Sequence, residues 1–453
     1  MAAYRLGIRA DRRPVADSIT GTHRPPPRRR RRHRPASYPA AVATAIFADA
    51  LLDPARAETT RSAVVVLDDG RVTAAGARAQ VHVPADAKRV DAEGLTLLPG
   101  LIDLHVHLCV RGDGLDFGEQ LGTPPSLQLL QAVAACRKTL DAGFTTVRDA
   151  GGTPHGLRTA VERGYFPGPR LILAVQVLSQ TGGHADNHFP CGVTLGLFPM
   201  GEIPSPVVDG VEAMRRRVRE LIRARADWIK LCTSGGVLSP GDAPHHATFT
   251  VGEIRAAVEE AATQGRNVMA HAQAAEGVKN ALRGGVRTIE HGIWLDDEAL
   301  ELLADGRTLV PTLVAPEWVA RHADGGRMPA WAAEKARAVA EDHTRSFTAA
   351  VEARRRIAFG TDTGVGPHGT NGEEFLRMRD GGMAPEDCLR SATAVAAEVL
   401  GLAGQVGTLA PGAYGDMIGV PGDPLANLEL VAKAEKVHLV VKGGEIVKER
   451  TSG

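Results

Sequence analysis

Short apolar runs rich in β-formers alternate eight times with longer helix-like stretches, and further β-like runs crowd both chain ends, which together predict an α/β fold. The specific expectation is a (β/α)8 TIM barrel over 97–402, carrying a small composite β-sandwich built from 41–96 and 403–453. A third observation supports it. Side chains suited to chemistry stand at the ends of the β-like runs, the face where such barrels place their working residues. The alternative, an open doubly wound sheet, is disfavoured because no G-x-G-x-x-G follows the first run.

Residues 1–40 differ from everything after them. Pro25, Pro26 and Pro27 lead into Arg28 through Arg32, then His33, Arg34 and Pro35. Such a stretch buries no apolar surface and reads as a disordered Arg/Pro-rich tail. Ala40 to Leu52 is apolar and Ala55-Arg56-Ala57 imitates a leader cleavage site, but Asp49 interrupts the run. Next, Ala63 to Leu67 reads as a strand, Asp68-Asp69-Gly70 as a hairpin turn and Arg71 to Ala75 as the return strand. The C-terminal counterpart is Asp416–Val420, Val437–Val441 and Glu445–Val447, with Gly443-Gly444 as the turn.

The eight barrel runs are Leu97–His105, Phe144–Asp149, Leu171–Leu178, Trp228–Cys232, Asn267–His271, Thr288–His291, Leu309–Val314 and Ile357–Thr361. Helix-like segments such as Pro124–Ala142, Val211–Ala226 and Val251–Gln264 separate them, and Gly143 and Gly265 stand where a helix would stop.

Composition narrows the function. Of 453 residues, 43% are hydrophobic and 23% charged, which excludes a wholly disordered chain. Lys+Arg and Asp+Glu both number 53, so no net charge draws the chain to nucleic acid or an anionic membrane, and neither partner is expected. Cys109, Cys136, Cys191, Cys232 and Cys388 never form C-x-x-C, which suits a reducing, cytoplasmic setting and argues against a cysteine-built zinc site. No run approaches the ~18 apolar residues of a membrane-spanning helix, so a soluble protein is expected.

The polar residues at run ends carry the argument. His105 and His107 end the first run, Lys230 lies in the fourth, His271 ends the fifth, His291 ends the sixth and Asp362 follows the eighth. The i, i+2 spacing of His105 and His107 puts both imidazoles on one face of an extended strand, able to grip one divalent ion. Imidazole suits zinc and also nickel, cobalt and manganese. Asp362 can complete that shell, and His271 with His291 offers a second imidazole pair. Lys230 is a poor ligand as an ammonium, and taken alone it reads as a strand-end lysine.

The run Leu98-Pro99-Gly100-Leu101-Ile102-Asp103-Leu104-His105-Val106-His107 closely resembles the signature of the amidohydrolase superfamily of metal-dependent hydrolases. Met269-Ala270-His271-Ala272, Ile289-Glu290-His291-Gly292 and Gly360-Thr361-Asp362-Thr363 agree in type and order. Ile229 to Val237 and Gly182-Gly183-His184-Ala185-Asp186 resemble the binuclear branch, which contains Xaa-Pro dipeptidases and ochratoxin-hydrolysing amidases; such chains are also called imidazolonepropionase-like.

The resemblance implies two divalent metal ions, with zinc expected. His105, His107 and Asp362 would hold the first and His271 and His291 the second, with Lys230 bridging them as N6-carboxylysine. It implies cleavage of an amide bond in a dipeptide or N-acyl amino acid by a metal-bridging hydroxide, with Asp362 moving the proton. His184 is the candidate for binding a substrate carboxylate or polarising the scissile carbonyl. His245 and His246 stand where related peptidases bind the terminal carboxylate with other residues, and Arg148 is a further candidate for that role, or else a partner of Asp149 beneath the site. A homo-oligomer acting on a small-molecule substrate is implied too. The alternative is a mononuclear hydrolase or deaminase of a cyclic amidine or lactam, separable by metal count.

Overall fold

A computed structural model describes residues 42–189, 191–194, 201–304 and 306–450; the expected tail over 1–40 lies outside them. The first strands are β1 (Thr44–Asp53), β2 (Glu58–Asp68), β3 (Arg71–Ala77) and β4 (Lys88–Pro99). The central part then gives β5 (Leu101–Val106), β6 (Phe144–Asp149), β7 (Arg170–Leu173), β8 (Val177–Leu178), β9 (Trp228–Cys232), β10 (Asn267–Ala272), β11 (Thr288–His291) and β12 (Thr308–Val310). The chain ends with β13 (Met417–Pro421), β14 (Leu439–Lys442) and β15 (Glu445–Glu449).

The central strands run parallel in two ladders, β5-β6-β7 and β8-β9-β10-β11-β12. Single contacts join the ladders into a ring. The third run is broken at Val175, whose φ is +70°, so that β7 pairs with β6 while β8 pairs with β9. The eighth run is too irregular for a ladder, yet it closes the circle. Ala358 N–H donates to Leu309 O at 2.9 Å, Leu104 N–H to Phe359 O at 3.0 Å and His107 N–H to Thr363 O at 2.7 Å. Helices such as Pro125–Asp141, Val211–Arg223 and Val251–Ala262 separate the strands. This is the (β/α)8 barrel.

Two further expected runs are corrected. Leu97–His105 is not one strand, because Gly100 divides β4 from β5. A Cβ at Gly100 would sit 2.2 Å from Thr145 Oγ1, so only glycine fits where the chain leaves one sheet for the other. Leu309–Val314 is strand only to Val310, and a helix begins at Val314. Glu374 accepts the N–H groups of Leu313 and Val314, both at 2.9 Å, and so satisfies donors that the helix start leaves free.

Strand alternation sorts the barrel's side chains. On β9, Ile229 and Leu231 pack outward into the main core with the helices, whereas Trp228 packs with Ile102, Leu104, Met269, Val310 and Ala358. Lys230 and Cys232 follow Trp228 at period two and face the ring's open end.

The two chain ends make one seven-stranded sheet of order β15-β14-β13-β4-β1-β2-β3. β4 is the join, parallel to β1 and antiparallel to β13. Ile46, Val65, Leu67 and Val72 from the first part share an apolar cluster with Met417, Leu439 and Val441 from the last. Where a two-layer sandwich was expected, the strands of both chain ends belong to this single sheet. Its edge hairpins meet: Gly415 N–H donates to Gly70 O and Gly444 N–H to Gly415 O.

Candidate metal and substrate site

His105, His107, Lys230, His271, His291 and Asp362 line one cavity at the C-terminal rim of the barrel, together with His184. Asp362 Oδ1 stands 3.3 Å from His107 Nε2 and 3.5 Å from His105 Nε2. Lys230 Nζ stands 3.3 Å from His105 Nε2. The His271 and His291 rings are 4.6 Å apart. Among the described residues, His105, His291 and Asp362 each place a ligand atom within 4.8 Å of the other two, a group that takes one member from the expected second pair.

Each histidine has one ring nitrogen tied to the protein. His105 Nδ1 meets Glu290 Oε2 at 2.7 Å and His107 Nδ1 meets Gly151 O at 2.8 Å. His291 Nδ1 meets Thr312 Oγ1 at 2.7 Å, while His271 engages Gly235 O through Nε2 at 3.0 Å. Carbonyl and carboxylate partners only accept, so they hold the proton on the tied nitrogen and leave the other as a lone-pair donor. This leaves Nε2 of His105 and His107 and Nδ1 of His271 as donors. Such outer partners are what a metal-ligating histidine requires, and the residues present therefore fit a divalent metal.

Electrostatics agree with that donor set. Burial, and then the Lys230 charge, lower the His105 pKa to about 4 against the pull of Asp362. Burial and the neighbouring imidazoles hold His271 and His291 well below the usual histidine value. Burial likewise lowers Lys230, which is 2% exposed. For Asp362 burial acts upward, but His105 and His107 beside it win and keep the carboxyl ionised.

The backbone that presents these groups is unusual. His291 has φ +72° and Asp362 φ +64°, left-handed conformations that cost a non-glycine residue roughly 1–3 kcal/mol. Beneath Asp362, buried Asp103 accepts from His105 N at 3.0 Å, Thr361 Oγ1 at 2.7 Å and Asn371 Nδ2 at 2.8 Å. The same Asn371 amide reaches Thr363 Oγ1 at 2.9 Å, so both sides of the Asp362 turn are held.

His184 stacks on His271, with centroids 4.3 Å apart and planes at 17°. Its Nδ1 lies 2.8 Å from Ser239 Oγ. The rest of the wall is mainly apolar, including Val110, Leu115, Val237, Ile293, Val319 and Val365, with Asn187, Gln273, Thr312 and His343 as its further polar members.

Three expected substrate residues are corrected. Arg148 is wholly buried under the site, not in its wall, and its partner is not Asp149. Its guanidinium donates to Leu104 O at 2.7 Å and Glu290 Oε1 at 2.9 Å and lies over the Trp228 ring. Arginine on an inward position of β6 cannot reach the rim because Glu290 of β11 meets it inside the ring. His245 and His246 are exposed, meet edge to face with 4.4 Å between centroids, and are not among the residues that line the cavity. Glu290, Asp103, Asn371 and Thr312 were not anticipated as contributors. Only Glu290 carried a signal, as the neighbour of His291 two positions along the strand from Thr288.

The sequence profile of the Amidohydrolase family matches residues 96–447. An ochratoxinase of Aspergillus niger is 33% identical over 431 residues, covering 91% of this chain and 88% of the relative. A crystal structure of a prolidase complexed with N-methylphosphonate-L-proline superposes with a TM-score of 0.83 at 36% identity, covering 90% of this chain and 100% of that one. A Xaa-Pro dipeptidase with bound methionine in the active site gives 0.81 at 32%, with the same coverage.

Proposed function

This chain belongs to the amidohydrolase family and is a hydrolase of carbon–nitrogen bonds, and on that premise we propose that it cleaves the amide bond of a dipeptide or N-acyl amino acid. The observation that carries the reading is Lys230, a buried lysine whose Nζ lies 3.3 Å from a ligand-type imidazole nitrogen. An ammonium serves no purpose among metal ions. A neutral amine there adds to carbon dioxide, loses a proton and becomes a carbamate with two ligand oxygens. His105, His107 and Asp362 would then hold one ion and His271 and His291 the other, with carboxylated Lys230 shared. Zinc suits this nitrogen and oxygen set.

When bound, the metal supplies a water that ionises near neutral pH and a Lewis acid for the carbonyl. Asp362 takes a proton from the attacking water and passes it to the leaving amine. His184 lines the same cavity and contacts the substrate, and the apolar wall receives the side chains flanking the amide. The names of the ochratoxinase and Xaa-Pro dipeptidase relatives support an amide substrate.

The close grouping of His105, His291 and Asp362 favours a second reading, one ion and a cyclic amidine or lactam substrate. Zinc-loaded protein, assayed with bicarbonate against Xaa-Pro dipeptides, N-acyl amino acids and cyclic amidines, separates the two. Release of free amino acid, lost in Lys230→Ala together with one of two bound metals, is expected. Ammonia from amidines, or full activity in Lys230→Ala, would move the protein to the second reading.

A further inference from the structure

The loop after β9 is tied down by groups that none of the expected chemistry uses. Asp242, whose side chain is 6% exposed, accepts Gly236 N–H at 3.0 Å through Oδ2 and the Ser239 hydroxyl through Oδ1. Lys335, from the helix Ala330–Glu352, donates to the carbonyls of Ser239 at 2.7 Å and Asp242 at 2.6 Å, and its Nζ is 3.5 Å from Asp242 Oδ1. Gly236 packs under the His184 ring so closely that a Cβ there would lie 2.1 Å from Cε1. His184 is therefore clamped on three sides, by His271, Gly236 and Ser239.

Proton counting then sets its polarity. A carboxylate only accepts, so the Ser239–Asp242 bond uses the single serine hydrogen. Ser239 Oγ has no hydrogen left for His184, 2.8 Å away, and must accept from Nδ1–H. In the neutral ring, Nε2 is then a bare acceptor, and among the described residues it has no partner. We propose that Asp242, acting through Ser239, holds His184 with its proton on Nδ1, so that Nε2 is presented to the cavity as an acceptor for a substrate N–H group. This polarity is opposite to the one needed for polarising a carbonyl or binding a carboxylate. Asp242, Ser239 and Lys335 are positioning residues, with Lys335 fixing the loop that carries the other two.

The substrate half of the inference rests on the proposed amide hydrolysis, whereas the tautomer does not, and the experiment keeps them apart. Long-range 1H–15N correlation of the zinc-loaded, 15N-histidine-labelled full chain reads the His184 tautomer without turnover. The Nδ1–H form is expected, with its signals moved in Ser239→Ala, Asp242→Asn and Lys335→Met but kept in Lys335→Arg. An Nε2–H form, or signals indifferent to Ser239→Ala and Asp242→Asn, would overturn the proposal. For turnover, a Xaa-Pro dipeptide offers its α-ammonium as N–H donor, and its desamino analogue offers none. Ser239→Ala should lower kcat/KM for the dipeptide by about ten- to a hundredfold and leave the analogue nearly unchanged. Equal losses on both substrates would overturn the N–H acceptor role. An inactive parent chain would instead sink the amide hydrolase reading and leave the tautomer result standing.

Discussion

Arg148 and Glu290 are both wholly buried, and their charges meet at 2.9 Å inside the barrel. Removing one partner of such a pair strands the other, at a cost of about 3–5 kcal/mol, whereas replacing both by apolar groups is often tolerated. Arg148→Met should therefore lower unfolding free energy by that amount in urea titrations, and Arg148→Met with Glu290→Leu should recover part of it. Burial raises the Glu290 carboxyl, but Arg148 and then His105 overcome it and bring its pKa from 4.5 to about 2. A carboxyl held lower in the folded state binds fewer protons there than in the unfolded chain. Its contribution is fully present above about pH 4.5 and is lost as pH falls towards 2. Urea midpoints across that window should fall less steeply in Glu290→Gln than in the parent. Neither partner was legible as such. From the sequence Arg148 reads either as a carboxylate-binding residue or as a partner of Asp149 beneath the site, and Glu290, 142 residues away, shares no local pattern with it.

Single elements show how much a turn decides. The irregular eighth run ends in a left-handed Asp362, and the bonds from Asp103 and Asn371 hold that turn against its intrinsic strain. Asn371→Ala leaves a buried carboxylate oxygen and Thr363 without this donor, which should cost roughly 1–3 kcal/mol. It should also speed zinc loss to a chelator, because Asp362 is then freer to leave its place between His105 and His107. Unchanged zinc retention would show that the turn is set elsewhere. Strand ends were readable because period-two alternation is a local property: β6, β9 and β11 match their expected runs at both ends. The break at Gly100 was not readable. It depends on Thr145, a residue of the neighbouring strand that the chain meets only after folding.

For the whole molecule, the rim gathers groups from strands spread between residues 101 and 363, so a metal bound there ties most of the barrel together. Zinc at about 1,000-fold over its dissociation constant adds about 4 kcal/mol to unfolding. Chelation should accordingly lower the thermal midpoint by several degrees and zinc should restore it, with a smaller recovery in Lys230→Ala; a midpoint indifferent to zinc would count against the site. Among the described residues no helix is long and apolar enough to cross a membrane. The linear chain determined the barrel and which polar groups gather at its rim, because strand alternation and strand-end position are set by residues close together in sequence. Folding alone decided which imidazole nitrogen faces inward, that Arg148 lies under the site, that His245 and His246 stay out of the cavity wall and that Asp242 stands behind His184. Those outcomes depend on hydrogen bonds between residues far apart in the chain, such as Asn371 to Asp103 across 268 positions, which no local pattern records.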